Sequence, residues 1–251
     1  MKVEVNKLVK NFLDYFLPGK CFDEFLAFNF FEGNCLPLLI SRLLGVGITV
    51  GSCLLFVPQI LKIYQAKSAE GISLASQLFG LVSCSAVAAY SYEKKFIFGQ
   101  WGDSFFVALQ TVLIIMQILY YSNSGAFNAF LFGLFYFVGM LAVVYHFVPI
   151  KILNGFQTAT LPITFISKAI QIYANFAQKG TGQLSLISVF MQFAGCCARV
   201  FTSIQETNKD WLILAPFILA SILNGIIFVQ MIYYSRSTTK LEKEKKKKKI
   251  R

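Results

Sequence analysis

The sequence predicts an all-α membrane protein whose seven transmembrane helices form two parallel three-helix repeats joined by a linker helix. Composition, a series of long apolar runs and an internal repeat predict it. Of 251 residues, 56% are hydrophobic and 14% charged, with mean hydropathy +0.62. A soluble domain keeps about a quarter of its residues charged to coat its surface, so the apolar excess must face lipid. The net charge of +11 does not indicate a nucleic-acid partner, because much of it sits in Lys243, Lys245 to Lys249 and Arg251.

A helix needs about 20 apolar residues to cross the hydrocarbon core, and it must satisfy its own backbone there. Seven runs qualify, roughly 38–62, 72–92, 104–121, 126–146, 151–177, 183–204 and 212–234, with Pro162, Lys168 and Gln171 diluting the fifth. Short turns join several of them, including Ser68-Ala69-Glu70-Gly71, Ser122-Asn123-Ser124-Gly125 and Lys179-Gly180-Thr181-Gly182, which favours antiparallel neighbours. The expected segments are an N-terminal region at 1–37, a first repeat at 38–121, a linker at 122–149, a second repeat at 150–234 and a basic tail at 235–251.

The halves repeat. Ile63-Tyr64, a Lys-containing turn ending at Gly71 and Ser73-Leu74 are echoed by Ile172-Tyr173, a Lys-Gly-Thr-Gly turn and Ser185-Leu186. The second loop is longer by three residues, and the register after it aligns Cys84 with Cys196 and Tyr121 with Tyr233. The fourth span has no counterpart. Two triplets joined by one crossing helix run in the same direction, a parallel repeat.

The basic tail is expected in the cytosol, which with seven spans puts the N-terminus in the lumen. Lys62 and Lys67 then lie on the cytosolic side, and Lys94 and Lys95 on the lumenal side. Asp14, Pro18, Asp23 and Glu24 interrupt the first thirty residues, so no cleaved signal peptide is expected. Cys21 and Cys35 are free thiols or, if their region is lumenal, a disulfide pair. Cys53, Cys84, Cys196 and Cys197 lie in apolar stretches without CxxC spacing or a histidine cluster, so no metal site is expected. Lys248 and Lys249, fourth and third from the end, resemble the dilysine retrieval signal of endoplasmic reticulum membrane proteins.

The most specific local motif runs from Phe56-Val57-Pro58-Gln59 to Tyr64 and continues through Lys67, Ser68, Glu70, Gly71 and Ser73. Pro58 removes a backbone donor and creates a kink, either a hinge or a static bend. The stretch resembles the signature of the PQ-loop family, whose members include cystinosin, the SWEET sugar transporters and the KDEL receptor. The resemblance implies two triple-helix bundles and a linker. In the second half Gly182, Gln183 and Ser185 match, but Ser167-Lys168 replaces the Pro-Gln pair and the nearest proline is Pro162.

Placing a cation at membrane depth costs about 2.5 to 3.5 kcal/mol, so Lys168, Arg42 and Arg199 are expected either at a polar interior or, for the first two, snorkelling to the interface. Gln192, Cys196, Arg199, Ser203 and Glu206 share one helical face, and Gln77 and Cys84 form a similar stripe on the second helix. Such stripes line a substrate cleft or pack helix on helix.

Thr181 to Ser185, Ala198 to Thr207 and Lys67 to Gly71 together resemble the mannose-P-dolichol utilization defect 1 branch of the PQ-loop family. This implies an endoplasmic reticulum protein needed for use of dolichol-phosphate mannose and dolichol-phosphate glucose in N-glycosylation, O- and C-mannosylation and glycosylphosphatidylinositol-anchor synthesis. Lumenal mannosyltransferases are its implied partners. The substrate-cleft candidates are Gln77, Lys168, Gln192, Arg199, Ser203 and Glu206, with the second and sixth helices forming the cleft and Pro58 as hinge. The alternative is a small-solute transporter for sugars or amino acids, by fold analogy. An enzyme is not expected: the only histidine, His146, stands near a helix end, and no acid pair or nucleophile-base set accompanies it, nor is a cofactor expected.

Overall fold

In the computed structural model the described residues are 15–18, 21, 24, 28, 35–69, 72–122, 125–177 and 186–249, with backbone alone for 186–188 and 235–249. They form α1 (Cys35–Ser52), α2 (Val57–Ala66), α3 (Leu74–Glu93), α4 (Phe98–Tyr121), α5 (Gly125–Val144), α6 (Ile150–Ala177), α7 (Leu186–Glu206) and α8 (Trp211–Lys249). Among the described residues there is no strand. Five units are long and apolar enough to cross a membrane: α1 with α2, α3, α4, α5 and the Trp211–Tyr234 part of α8. The other two, α6 and α7, span 28 and 21 residues and complete seven crossings. Their polar residues lower their hydropathy because they point into the protein, where Gln157, Thr160, Asn175, Arg199, Thr202 and Ser203 are buried.

The boundaries depart from the expected spans where backbone chemistry intervenes. The first span is two helices, because the chain leaves helical geometry between Ser52 and Val57. The third helix starts at Phe98, ahead of the expected 104, since Gly99, Gln100 and Gly102 are buried against neighbours. The basic tail continues the helix of α8 as far as Lys249.

In the first triplet α4 packs against both α1 and α3, and in the second α8 packs against both α6 and α7. The third helix of each triplet thus binds the other two together. Between the triplets, α1 meets α7 and α3 meets α6, which is one contact applied twice by an approximate two-fold axis. The directions agree with a parallel repeat. Leu153, early in α6, packs with Tyr90 near the end of α3 and Ile213 at the start of α8. Arg42, early in α1, meets Glu206, the last residue of α7. Both triplets therefore begin at the same end, called here the Cys35 end.

The linker α5 packs on α4, and Ala129 is its only buried residue. Its exposed Phe127, Phe130, Phe135 and Phe137 form a lipid-facing surface. Two apolar clusters serve the first triplet: Leu81, Ala108, Val112 and Ile115 between α3 and α4, and Ile63, Ile114 and Ile118 between α2 and α4. In the second, Val189, Ile227 and Met231 join α7 to α8. Ahead of α1, Cys21 and Cys35 are joined by a disulfide with a Cα–Cα distance of 5.3 Å, resolving the alternatives left open by the sequence.

The α1–α4 crossing depends on Gly45, where a Cβ would lie 2.9 Å from the Gly99 carbonyl oxygen. That atom is backbone and cannot swing aside. Gly45→Leu is expected to cost about 1–3 kcal/mol through overpacking, read as a lower thermal midpoint in detergent. Gly47→Leu, where nothing lies within 4 Å of the added Cβ, is the control and should melt with the parent. Equal melting of the two variants would refute the close crossing.

Candidate functional site

The polar stripe of α7 is one face, as its spacing predicts, but several neighbours divide it. Beginning at the Cys35 end, Arg42 Nε on α1 donates to Glu206 Oε1 at 3.2 Å. The Arg42 side chain also reaches the Tyr15 carbonyl oxygen and stacks over the Tyr15 ring. Arg199, 4% exposed, donates from Nη1 to the Gly99 carbonyl at 2.8 Å and carries Nη2 to 2.5 Å from Asp103 Oδ1 on α4. That ion pair lies off hydrogen-bond alignment, and Arg199 Nε has no hydrogen-bond partner among the described residues. Ser203 is 3.4 Å from Gln100 Oε1. Beyond the helix, Tyr90 of α3 donates its hydroxyl to Asp210 at 2.8 Å, and Lys94 approaches the same carboxylate at 3.9 Å. These contacts clamp the two triplets together at the Cys35 end.

Arg199 and Glu206 share a face of α7, and each is neutralised across the interface by the first triplet. Of the two places expected for Arg42 the structure shows the polar interior, where Glu206 and Tyr15 hold it.

Nearer mid-helix a second polar group lies wholly within the second triplet. Gln157, Lys168 and Asn175 recur on one face of α6 at spacings that bring them round to α8. Lys168, a half-buried residue, donates from Nζ to Oε1 of the exposed Gln192 of α7 at 2.9 Å. One turn along α7, Cys196 Sγ accepts from Asn224 Nδ2 of α8 at 3.4 Å. Asn224 is 3% exposed, and its Oδ1 has no hydrogen-bond partner among the described residues. A buried acceptor left open beside a cation held by one neutral side chain can receive a ligand that brings both an anion and hydroxyls.

The repeat sets Gln59 opposite Lys168, Gly80 opposite Gln192, Cys84 opposite Cys196 and Val112 opposite Asn224, so the matching place in the first triplet carries no charge and lacks the α7 and α8 amides. Cys84 packs on the Leu81–Val112 cluster. Gln77, two turns before it and half-buried, shares its side of α3 by helical spacing.

The PQ motif is built differently from a bent helix. Ser52 ends α1 and Pro58 sits in the first turn of α2, where its missing N–H costs nothing. Gln110 of α4 spans the break: Nε2 donates to the Ser52 carbonyl at 2.8 Å and Oε1 accepts from the Phe56 N–H at 2.8 Å. Gln59 is half-buried, and Gln117 donates to the Ile60 carbonyl at 3.2 Å. Lys67 caps α2 in left-handed geometry (φ 49°), Ser68 is exposed, and Ser73 Oγ accepts from the Ser76 N–H at 3.3 Å to start α3. Opposite, α6 runs unbroken through Pro162, and Gln230 of α8 binds the Ile172 carbonyl at 3.1 Å.

Glu70, Gly71, Gly182, Gln183 and Ser185 lie outside the described residues, while Lys248 and Lys249 are described in backbone only, at the end of α8. His146 stacks on Tyr92 and lies 2.7 Å from Glu93 at the Cys35 end, as an interfacial residue should. Sequence reasoning passed over Asp103, Gln100, Gln110 and Asn224. The available signal was a polar residue within or just before an apolar run, the same one that marked Arg199.

Comparison with known families gives a match to the PQ loop repeat at residues 40–100 and again at 152–212. The matched blocks coincide with the first two helices of each triplet and the beginning of the third. The duplication seen in the helix contacts is thus present in the sequence as two separate family repeats.

If the Cys35-end clamp has the described pairing, Asp103→Asn strands a buried guanidinium and lowers the unfolding free energy by about 3 kcal/mol, reduced to the extent that the Asp103 side chain, 21% exposed, is solvated. Arg199→Met combined with Asp103→Leu should recover part of that loss. Strictly additive losses in a thermal-melt cycle would contradict the pair.

Proposed function

We propose that this multi-pass membrane protein, built on two PQ-loop repeats, acts in the endoplasmic reticulum to make dolichol-phosphate mannose and dolichol-phosphate glucose usable by lumenal glycosyltransferases, by flipping or presenting the lipid-linked sugar. The observation that carries the reading is the Lys168–Gln192–Cys196–Asn224 group, which sets a cation and two amides where the first repeat has Gln59, Gly80, Cys84 and Val112 and no charge. A lysine at membrane depth is costly and here has one neutral acceptor, so a phosphate entering the cleft supplies its missing counter-charge. Hydroxyls of the attached hexose suit the open Asn224 acceptor and Gln192. The polyprenyl chain stays in lipid.

The ion pairs at the Cys35 end then act as a gate. Breaking Arg42–Glu206 and Arg199–Asp103 together would part the triplets there and release two cations toward the departing phosphate. The α1–α2 break supplies the bend, with the Gln110 amide holding it between movements. The Cys21–Cys35 bridge supports a lumenal N-terminus, since disulfides persist in oxidising compartments, and the lysine-rich tail supports a cytosolic C-terminus. The protein is read as non-enzymatic and free of cofactors; its partners are the lipid-linked sugars, the bilayer and lumenal mannosyltransferases. Movement of a small free solute through the same cleft is the competing reading.

In cells lacking the native protein, Lys168→Ala and Arg199→Gln at normal abundance are expected to reduce lumenal mannose transfer about tenfold, the loss of one charge-assisted contact. Undiminished transfer in both would sink the proposal. Purified protein in vesicles with short-chain dolichol-phosphate mannose separates the modes: accelerated transbilayer exchange means flipping, and uptake of free sugar or amino acid without lipid exchange means the solute reading is correct.

Retrieval is tested separately. Replacing both Lys248 and Lys249 with Ser is expected to release part of the protein to later compartments, scored by microscopy and fractionation. Complete retention of the variant would remove the dilysine argument for location.

A further inference from the structure

Ahead of α1, residues 15–18 are half-buried at the Cys35 end, and Tyr15 lies on the seam where α1, α4 and α7 meet. Its carbonyl accepts from Arg42 Nη1, and the Arg42 guanidinium stacks over its ring, 5.5 Å from the centroid. At the far end of the ring the hydroxyl lies against the Gly99 backbone, since a Cβ at Gly99 would stand 3.0 Å from it. Both contacts are to groups that hold the second triplet. Arg42 Nε donates to Glu206 of α7, and the Gly99 carbonyl accepts from Arg199 of α7. One tyrosine thus covers the first-triplet side of two attachments between the triplets.

The covering has an electrostatic consequence. The Arg42 and Glu206 side chains are only 11% and 4% exposed, although one stands early in α1 and the other ends α7. An ion pair kept from water retains much of its attraction, whereas the same pair in water is largely screened. Tyr15 supplies part of that shield. Without it, water reaches the guanidinium from the side where the ring and the carbonyl now lie.

The chain also keeps Tyr15 close at hand. The Cys21 N–H donates to the Pro18 carbonyl at 3.3 Å, and Cys21 is bonded to Cys35, the first residue of α1. Arg42 lies two helical turns further along, about 10 Å. The bridge shortens the chain between Tyr15 and α1 from about 20 residues to about six. Loop-closure statistics make the shorter tether return Tyr15 to its seat about sixfold more often. Six residues still reach about 20 Å when extended, enough slack for Tyr15 to swing clear.

We propose that Tyr15 is a tethered plug for the Cys35-end gate. Seated, it keeps water from the Arg42–Glu206 pair and braces the Gly99 backbone that receives Arg199; unseated, on its disulfide tether, it lets that end part. That the end opens at all belongs to the functional reading above, on which this inference rests. Tyr15 is a positioning residue, acting through Arg42 and Gly99.

Opening is read without any lipid-linked sugar. Full-length protein in phosphatidylcholine nanodiscs, with Cys53, Cys84, Cys196 and Cys197 replaced by Ala, carries a reporter thiol as Ser203→Cys at a fully buried position. Its modification by a water-soluble maleimide is followed by mass spectrometry. Ala108→Cys, in the core between α3 and α4, reports global unfolding instead. Tyr15→Ala is expected to speed modification at 203 about tenfold while position 108 keeps the parent rate. Tyr15→Phe keeps the ring over Arg42 and should stay within about twofold of the parent. Cys21→Ser combined with Cys35→Ser should speed modification at 203 about sixfold. Should Tyr15→Ala fail to fold, Tyr15→Leu, which keeps bulk without the aromatic face, takes its place with the same expected direction. Unchanged modification at 203, or an equal rise at both reporters, overturns the plug. The two readings fail separately. Faster modification in Tyr15→Ala with undiminished mannose transfer in Lys168→Ala and Arg199→Gln counts against the headgroup cleft alone, whereas lost transfer in those two with unchanged modification counts against the plug alone.

Discussion

Within a bilayer no water is available to satisfy a backbone group that leaves a helix, so each departure must be answered by another part of the chain. The break between α1 and α2 is the largest such departure among the described spans, and one Gln110 side chain bonds to both of its edges. Much of the first triplet follows from that clamp. Gln110 can reach Ser52 and Phe56 because α4 comes close to α1, and α4 comes close because Gly45 and Gly99 let two backbones touch. The second triplet meets the same demand with Gln230 on the Ile172 carbonyl and Gln157 on the Leu212 carbonyl. Glutamine suits the task because its amide donates and accepts without bringing a charge into hydrocarbon.

Charge is treated as strictly. Arg42 and Arg199 are each matched to a carboxylate on the other triplet, so the most expensive groups in the membrane also hold the two repeats together. Pairing across the interface makes the clamp conditional: separating the triplets leaves four groups seeking partners at once, which favours one closed arrangement over a range of partial ones. Lys168 differs, being answered within its own triplet by an uncharged amide.

The sequence revealed the architecture readily because apolar length and turn residues act locally. The seven spans, the unmatched fourth helix and the parallel direction all came from run lengths and a single register. Partner choice was less legible. Gln192, Arg199 and Glu206 do lie on one face, as helical spacing requires, but spacing within α7 cannot say that α6, α4 and α1 each take one of them. The α3 stripe has the same limit: spacing shows that Gln77 and Cys84 share a side, while only packing shows that Cys84 meets the Leu81–Val112 cluster. Asn224 gave little sign of itself in the apolar run around it, since a lone amide is cheap in sequence terms and informative only when its neighbours are known.

The linker carries a lesson about ancestry. A unit with three crossings leaves its ends on opposite sides of the membrane, so two such units made as separate chains insert alike and can meet about a two-fold axis. Fused directly, the second would enter upside down. Helix α5 restores parity with one extra crossing and commits a single buried residue to doing so. Once tethered, the halves no longer depend on concentration to find each other. Nor must one sequence serve both positions, and the Val112 and Asn224 that now occupy equivalent places record how far that freedom has been used.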